Sequence, residues 1–239
     1  MSRRTALVGN RLVLVGAVLY LLEWVAIIGA GVGVPLGATA SAHDVLAGYA
    51  GHADALGWAA GWFAVVELGR VLLMVGLRSA LAESERPHRL MDVAVAAMAV
   101  SVALEVVVYA VSAGASWSLA HGGSLATTRA LDAVAFQTNL TVYGPIGVSL
   151  LCAGVAMWCS GLFARALSGL GLVAGLLFTV MGLALEAPRF AQAVQAISAA
   201  ALIMWIWMVW TGVVTWRARP RVARPRGADD TSTYDLTTA

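Results

Sequence analysis

Three glutamates stand where an apolar chain has least use for charge. Glu23 lies within "YLLEWVAII" (20–28), Glu67 within "FAVVELGRVLL" (63–73) and Glu105 within "SVALEVVVY" (101–109), and Glu186 closes a later apolar run. Carboxyls held away from water are proton donors and acceptors, so the chemistry they offer is acid–base catalysis or proton binding. Arg70 is the only cation inside any of these runs. It follows Glu67 by three residues, which puts both on one helical face. A Glu67–Arg70 pair carries both charges and leaves Glu23 and Glu105 without an evident cation. The pair reads equally as a scaffold salt bridge and as a functional element. Glu23 and Glu105, with no structural partner in view, read as functional.

The elements that position these acids follow from composition. The chain has 239 residues, 60 % hydrophobic and 12 % charged, with a mean hydropathy of +0.83. A soluble domain carries about twice that share of charge, so the long apolar stretches must meet lipid. Runs of spanning length fall at 12–34, 56–78, 91–113, 133–159, 168–187 and 190–216. Each is near the roughly 20 residues a helix needs to cross a bilayer, and lone strands cannot satisfy their backbone there. The expected fold is an all-α bundle of six transmembrane helices occupying residues 1–216. A basic juxtamembrane segment and polar tail follow at 217–239, suited to anionic lipid headgroups rather than nucleic acid. The start, "MSRRTALVGNRLVLVGAVLY" with "GATASA" beyond it, has the outline of a signal peptide. The apolar run from Leu12 to Val34 exceeds a signal's apolar core, so it is read as a retained first span.

All 15 basic residues are arginine. Arg3, Arg4, Arg11, Arg78, Arg86, Arg89, Arg165, Arg217, Arg219, Arg221, Arg224 and Arg226 fall on one side of this topology; Arg129 and Arg189 fall on the other. The positive-inside rule then makes both termini cytoplasmic. The absence of lysine, with abundant Ala, Gly and Val, suggests a GC-rich bacterial source and hence a plasma-membrane location. The loop 35–55 on the opposite side is too apolar for a free loop and is expected to form a short helix on the membrane surface or over the bundle.

Glu23 and Glu67 fall near mid-membrane, and Glu105 about two thirds of the way toward the side bearing loop 35–55. A charge at that depth costs at least about 2.5–3.5 kcal/mol, and three would consume most of the roughly 5–15 kcal/mol that stabilises a whole protein. The acids must therefore face inward, protonated or paired. Tyr109 lies one turn from Glu105. Gln137, Asn139 and Tyr143 in "LDAVAFQTNLTVYGP" (131–145) share the same half, as do Gln192 and Gln195. Pro145 is expected to kink its helix. The polar groups describe a pocket open outward or sideways rather than a pore.

Of nine tryptophans, Trp117, Trp158 and Trp216 suit interfacial anchoring, and those of "MWIWMVW" (204–210) a lipid-facing belt. Trp24, Trp58 and Trp62 adjoin the acids, where aromatic faces stabilise cations, although ordinary packing accounts for them too. Gly29, Gly31, Gly33, Gly171 and Gly175 read as packing positions. Cys152 and Cys159 lie two turns apart, too far for a disulfide. His43 and Asp44 with His52 and Asp54 repeat a pattern that reads as solvated loop residues. No metal spacing and no cofactor motif is present.

Two stretches, "LGRVLLMVGLRSAL" (68–81) and "CSGLFARALSGLGLVAGLL" (159–177), resemble those of uncharacterised actinobacterial multi-pass membrane proteins, a likeness that implies no activity. In helix number, size and intramembrane acids among tryptophans, the chain looks more loosely like the small integral-membrane terpene cyclases of meroterpenoid pathways. Those often have seven spans, against six here. That resemblance implies proton-initiated cyclisation of an isoprenoid that enters from the bilayer. Glu23 or Glu105 would be the general acid and the other the proton acceptor, with Glu67–Arg70 orienting them. Tyr109, Asn139 and Tyr143 would bind a polar head, and Trp24, Trp58 and Trp62 would line the chain. Two alternatives use the same acids: a proton-coupled carrier, in which a homo-oligomer would offset the small size, and a non-catalytic membrane subunit. An enzyme requires acids converging on a lipid-accessible apolar cavity, a carrier a watered route to both faces, and a subunit acids turned to the bundle exterior.

Overall fold

The structure, a computed structural model, describes residues 10–31, 35–37, 39–81, 85–184 and 194–218. Glu186, Arg189, Gln192, Gly33 and the tail from 219 lie outside the described residues, as does the side chain of Gln195. Nine helices occur among the described residues: α1 (Arg11–Leu21), α2 (Glu23–Ala30), α3 (Ala42–Tyr49), α4 (Ala53–Val66), α5 (Leu68–Ala80), α6 (Glu85–Ala120), α7 (Leu125–Ser160), α8 (Arg165–Ala184) and α9 (Val194–Arg217). Because α1 runs into α2 and α4 into α5, these form six stretches long and apolar enough to cross a membrane. The chain is a multi-pass, all-α membrane protein.

Each span packs beside its neighbours in sequence, and α9 returns to α1, so the six close into a ring. At the seam the Asn10 amide donates to the Thr215 carbonyl at 3.3 Å. One apolar core fills the ring, drawing Val13 and Ala17, Leu73 and Met74, Met98, Leu150, Phe178 and Trp207 from all six walls.

The first two spans touch backbone to backbone. A Cβ on Gly69 would run into the Gly16 carbonyl and lie 2.5 Å from the Tyr20 amide, and one on Gly16 would lie 2.5 Å from the Leu73 amide. Small residues at a crossing are what close approach in lipid demands. Gly69→Ala is expected to cost about 1–3 kcal/mol in detergent unfolding, since no flexible side chain is there to yield. Gly29→Ala, whose Cβ meets nothing within 4 Å, should match the wild type or gain up to about 1 kcal/mol. Of the expected packing glycines, Gly171 and Gly175 do sit against Trp207 and Leu151. Gly29 faces open space, and Gly31 ends α2 in the left-handed region at φ +60°.

Helices α6 and α7 have 36 residues each, about 54 Å at 1.5 Å per residue, well beyond the roughly 30 Å hydrocarbon layer. Apolarity alone places the third span at 91–113 and the fourth at 133–159. The helices extend past those limits by about two turns at the end where α3 lies. There α3 rests on α6 and α7, the short helix expected of loop 35–55. It starts with a capping box: the Ser41 hydroxyl accepts from the Asp44 amide at 3.1 Å, and the Asp44 carboxylate accepts from the Ser41 amide and hydroxyl. These bonds hold the Asp44 carboxyl below its usual range, so Asp44 serves the helix start. The helix α7 continues through Pro145 without interruption. Proline lacks an N–H, so the Thr141 carbonyl loses its helical donor. Cys152 and Cys159 are free thiols.

Candidate functional site

Both acid-bearing spans of the first pair are jointed at the acids. The helix α1 ends at Leu21 and is capped by Leu22, whose amide donates to the Leu19 carbonyl at 3.2 Å, and α2 begins at Glu23. The Leu22 carbonyl accepts the Trp62 indole N–H at 2.8 Å from the neighbouring span. The helix α4 ends at Val66 and α5 begins at Leu68, with Glu67 as the hinge residue. The Arg70 amide reaches back to the Glu67 carbonyl at 3.1 Å, a three-residue closure. Such tightening within a helix marks strain or function.

The joints bring the charged groups together. Arg70, 1 % exposed, forms ion pairs through Nη2 with both Glu67 and Glu105. Glu67 is wholly buried and Glu23 nearly so. Glu23 lies beside Tyr20, Glu67 and Glu105. The guanidinium of Arg70 sits over the Tyr20 ring at 5.0 Å, a cation–π contact that suits a cation away from water. Three carboxyls and one guanidinium from three spans therefore share one interior. Glu105 is thus not without a cation, as the spacing of Glu67 and Arg70 alone suggests: it approaches Arg70 from α6, a contact between residues 35 apart that no local pattern encodes. Among the described residues Glu23 is the cluster's carboxyl without an ion pair. One cation against three carboxyls is neutral only if two protons stay on the cluster.

The cluster is incompletely bonded. Both Glu67 oxygens and Arg70 Nε are buried without a hydrogen-bond partner, because the Glu67–Arg70 contact lacks hydrogen-bond alignment. Ser101, one turn before Glu105, likewise has a buried, unpartnered Oγ. Buried groups of this kind cost about 1–3 kcal/mol each, and a polar molecule or a proton relay would satisfy them.

The other expected site residues divide. Tyr109 is half-buried, its ring stacked face to face on Phe63 at 3.7 Å and 4°, within reach of the charges of Glu105, Glu67 and Glu23. Tyr143 stacks on Phe178 at 6.0 Å, with Asn139 one turn before it and Glu105 near enough to act on it. Gln137 is exposed. Trp24 and Trp58 stand on the outer wall, 38 % and 49 % exposed. Trp24 lies edge-on to Trp205 at 5.1 Å and Trp58 against Trp62 at 5.8 Å. Nearer the charged groups, Tyr20 lies under the Arg70 guanidinium and Tyr109 stacks on Phe63.

Sequence reasoning missed a buried acid outside this cluster. Asp132, 0 % exposed, accepts from the Leu36 amide at 3.0 Å, the Gly37 amide at 2.7 Å and the Tyr49 hydroxyl at 2.5 Å. It fastens the 35–49 segment to α7, aided by Arg129 donating to the Ala40 carbonyl and Ser116 to the Tyr49 carbonyl. The available signal was an acid directly before the apolar run that starts at 133. No family model matches the chain, and comparison with the curated proteins and with the solved structures finds no match.

Proposed function

We propose that the protein is an intramembrane acid–base enzyme acting on a lipophilic substrate of isoprenoid type, in a bacterial plasma membrane with both termini on the cytoplasmic side. The observation that carries this reading is the convergence of Glu23, Glu67, Glu105 and Arg70 in one buried cluster. Such inward convergence disfavours a subunit whose acids would face partner helices. Glu23, without an ion pair, donates its proton to a substrate alkene carbon. Ring closure moves the positive charge along the chain. Glu105, positioned by Arg70, takes a proton from the adjacent carbon to form the product alkene. The product is an isomer of the substrate, and a proton return from Glu105 to Glu23 resets the pair. Tyr20, Phe63 and Tyr109 offer ring faces to the passing cation, and Asn139 and Tyr143 bind a polar head.

General acid–base groups contribute about 10²–10⁴-fold in rate. Glu23→Gln and Glu105→Gln are each expected to lower turnover by at least about 100-fold while the protein still extracts as a folded species. Membranes would be incubated with farnesylated and geranylgeranylated aromatic acceptors and searched by mass spectrometry for products of unchanged mass and altered retention. Wild-type turnover in both variants would end this reading. A second reading, a proton-coupled carrier, draws on the two helices jointed at their acids, since discontinuous helices with central carboxyls are common in carriers. It predicts proton flux in proteoliposomes and no isomeric product.

A further inference from the structure

We infer that α6 carries a proton route from the α3 end of the bundle to the buried carboxyls, with the Tyr109 and Ser112 hydroxyls as its relay. From 101 to 116 the helix reads "SVALEVVVYAVSAGAS", and every residue is apolar or glycine except Ser101, Glu105, Tyr109, Ser112 and Ser116. Their spacings of four, four, three and four keep all five on one stripe. The stripe faces protein rather than lipid: Ser101, Ser112 and Ser116 are buried, and exposed Val100 and Val107 mark the opposite face.

The stretch from Glu105 to Ser112 meets titratable groups at each end. At the α3 end the Ser116 hydroxyl donates to the Tyr49 carbonyl at 2.6 Å, Ser112 sits beside the Tyr49 phenol, and that phenol donates to Asp132. At the inner end Glu105 meets Arg70 and, through it, Glu67, with Glu23 adjacent. The unpartnered Ser101 oxygen and Glu67 oxygens mark places where a relay needs free lone pairs. From Ser116 to Glu105 the rise is about 16 Å, bridged in steps of one turn. Side chains one turn apart lie about 5–6 Å from each other, a gap that a single water closes with two hydrogen bonds. The face-to-face stack on Phe63 holds the Tyr109 ring in place, one turn from both Glu105 and Ser112 along the stripe.

The step balances without a co-reactant. A hydronium at the Asp132–Tyr49 end gives up a proton. Each hydroxyl or bridging water accepts a proton at oxygen and releases its own. The Glu105 carboxylate ends as a carboxylic acid, and the relay groups end neutral. This rests on the cluster being a protonatable centre, and not on the substrate it serves.

The test follows the infrared C=O band of the cluster's protonated carboxyls after transfer of nanodisc-embedded protein to D₂O, with Glu23→Gln assigning the share of the group that carries a proton at rest. Tyr109→Phe retains the ring and removes the hydroxyl; Ser112→Ala removes a second, milder relay group. Deuterium uptake at this band, reached through Glu105, is expected to slow about tenfold in each, with the final extent unchanged. Ser149→Ala, whose hydroxyl binds the Ala94 carbonyl on a different face of the core, should exchange at the wild-type rate. Unchanged exchange in Tyr109→Phe overturns the route, as does equal slowing in Ser149→Ala, which would indicate general tightening. A wild type with no such band overturns both the route and the centre. Slowed exchange in a protein that yields no isomer from any isoprenoid leaves the route standing and removes the cyclisation.

Discussion

Replacing Arg70 with methionine is expected to destabilise the protein by about 3–5 kcal/mol, the usual cost of removing one partner from a buried ion pair. Arg70 is the shared counterion of Glu67 and Glu105, so its loss leaves carboxyls facing one another across an apolar interior. The cost comes from the charge left behind rather than from the missing side chain. Adding Glu67→Gln and Glu105→Gln to Arg70→Met should therefore recover most of the loss, since a fully apolar or neutral replacement of a buried ionic group is often neutral. Unfolding of purified protein in mixed micelles by added denaturing detergent reads both variants. An Arg70→Met protein within about 1 kcal/mol of wild type would mean that the guanidinium does not hold the cluster together.

Asp132→Ala carries the second large expectation. The substitution leaves two backbone amides and the Tyr49 hydroxyl without an acceptor. Bonds to a charged group contribute about 1.5–3 kcal/mol each, and three bonds to one carboxylate are not fully additive, so a loss of about 3–5 kcal/mol is expected. It should be local: amide exchange and protease cleavage should rise across α3 while α8 and α9 keep their protection. Asp132→Asn, which retains one acceptor oxygen, should fall between. Burial, with the bond to Asp132 adding, lifts the Tyr49 phenol well above its ordinary range. The raised value fixes the sign: the contribution is complete below the ordinary phenol value of about 10 and is lost as pH rises through the higher folded value. Ionisation of this phenol should therefore loosen α3 in strong alkali.

The six spans were legible because lipid imposes a length and an apolarity that no other solvent imposes, and all six runs match helices of spanning length. The ends were not: α6 and α7 continue beyond the apolar runs because the protein's own α3, rather than lipid, covers their last turns. Glu23, Glu67, Arg70 and Glu105 stood out as charges in oil, and the structure brings all four together. What hid the Arg70–Glu105 pair was distance along the chain: the i,i+3 partner Glu67 satisfied local reasoning, and only the packing of α6 against α5 supplies the other. Trp24 and Trp58 stand on the outer wall for a related reason. Adjacency in sequence places a side chain about 100° around a helix from its neighbour, so Trp24 turns outward where Glu23 turns in. Asp132 escaped notice because its partners are backbone amides, which leave no mark in a side-chain pattern.

Closure of the ring between α1 and α9 sets a timetable for assembly. A chain leaving the ribosome delivers α1 well before α9, yet Gly212 of α9 is the surface that covers Leu14 of α1. Until α9 has emerged, one flank of the first helix pair must wait against lipid or an insertion factor, and the five spans already made form an open horseshoe. A chain halted before α9 should accordingly be the form that quality-control proteases find first.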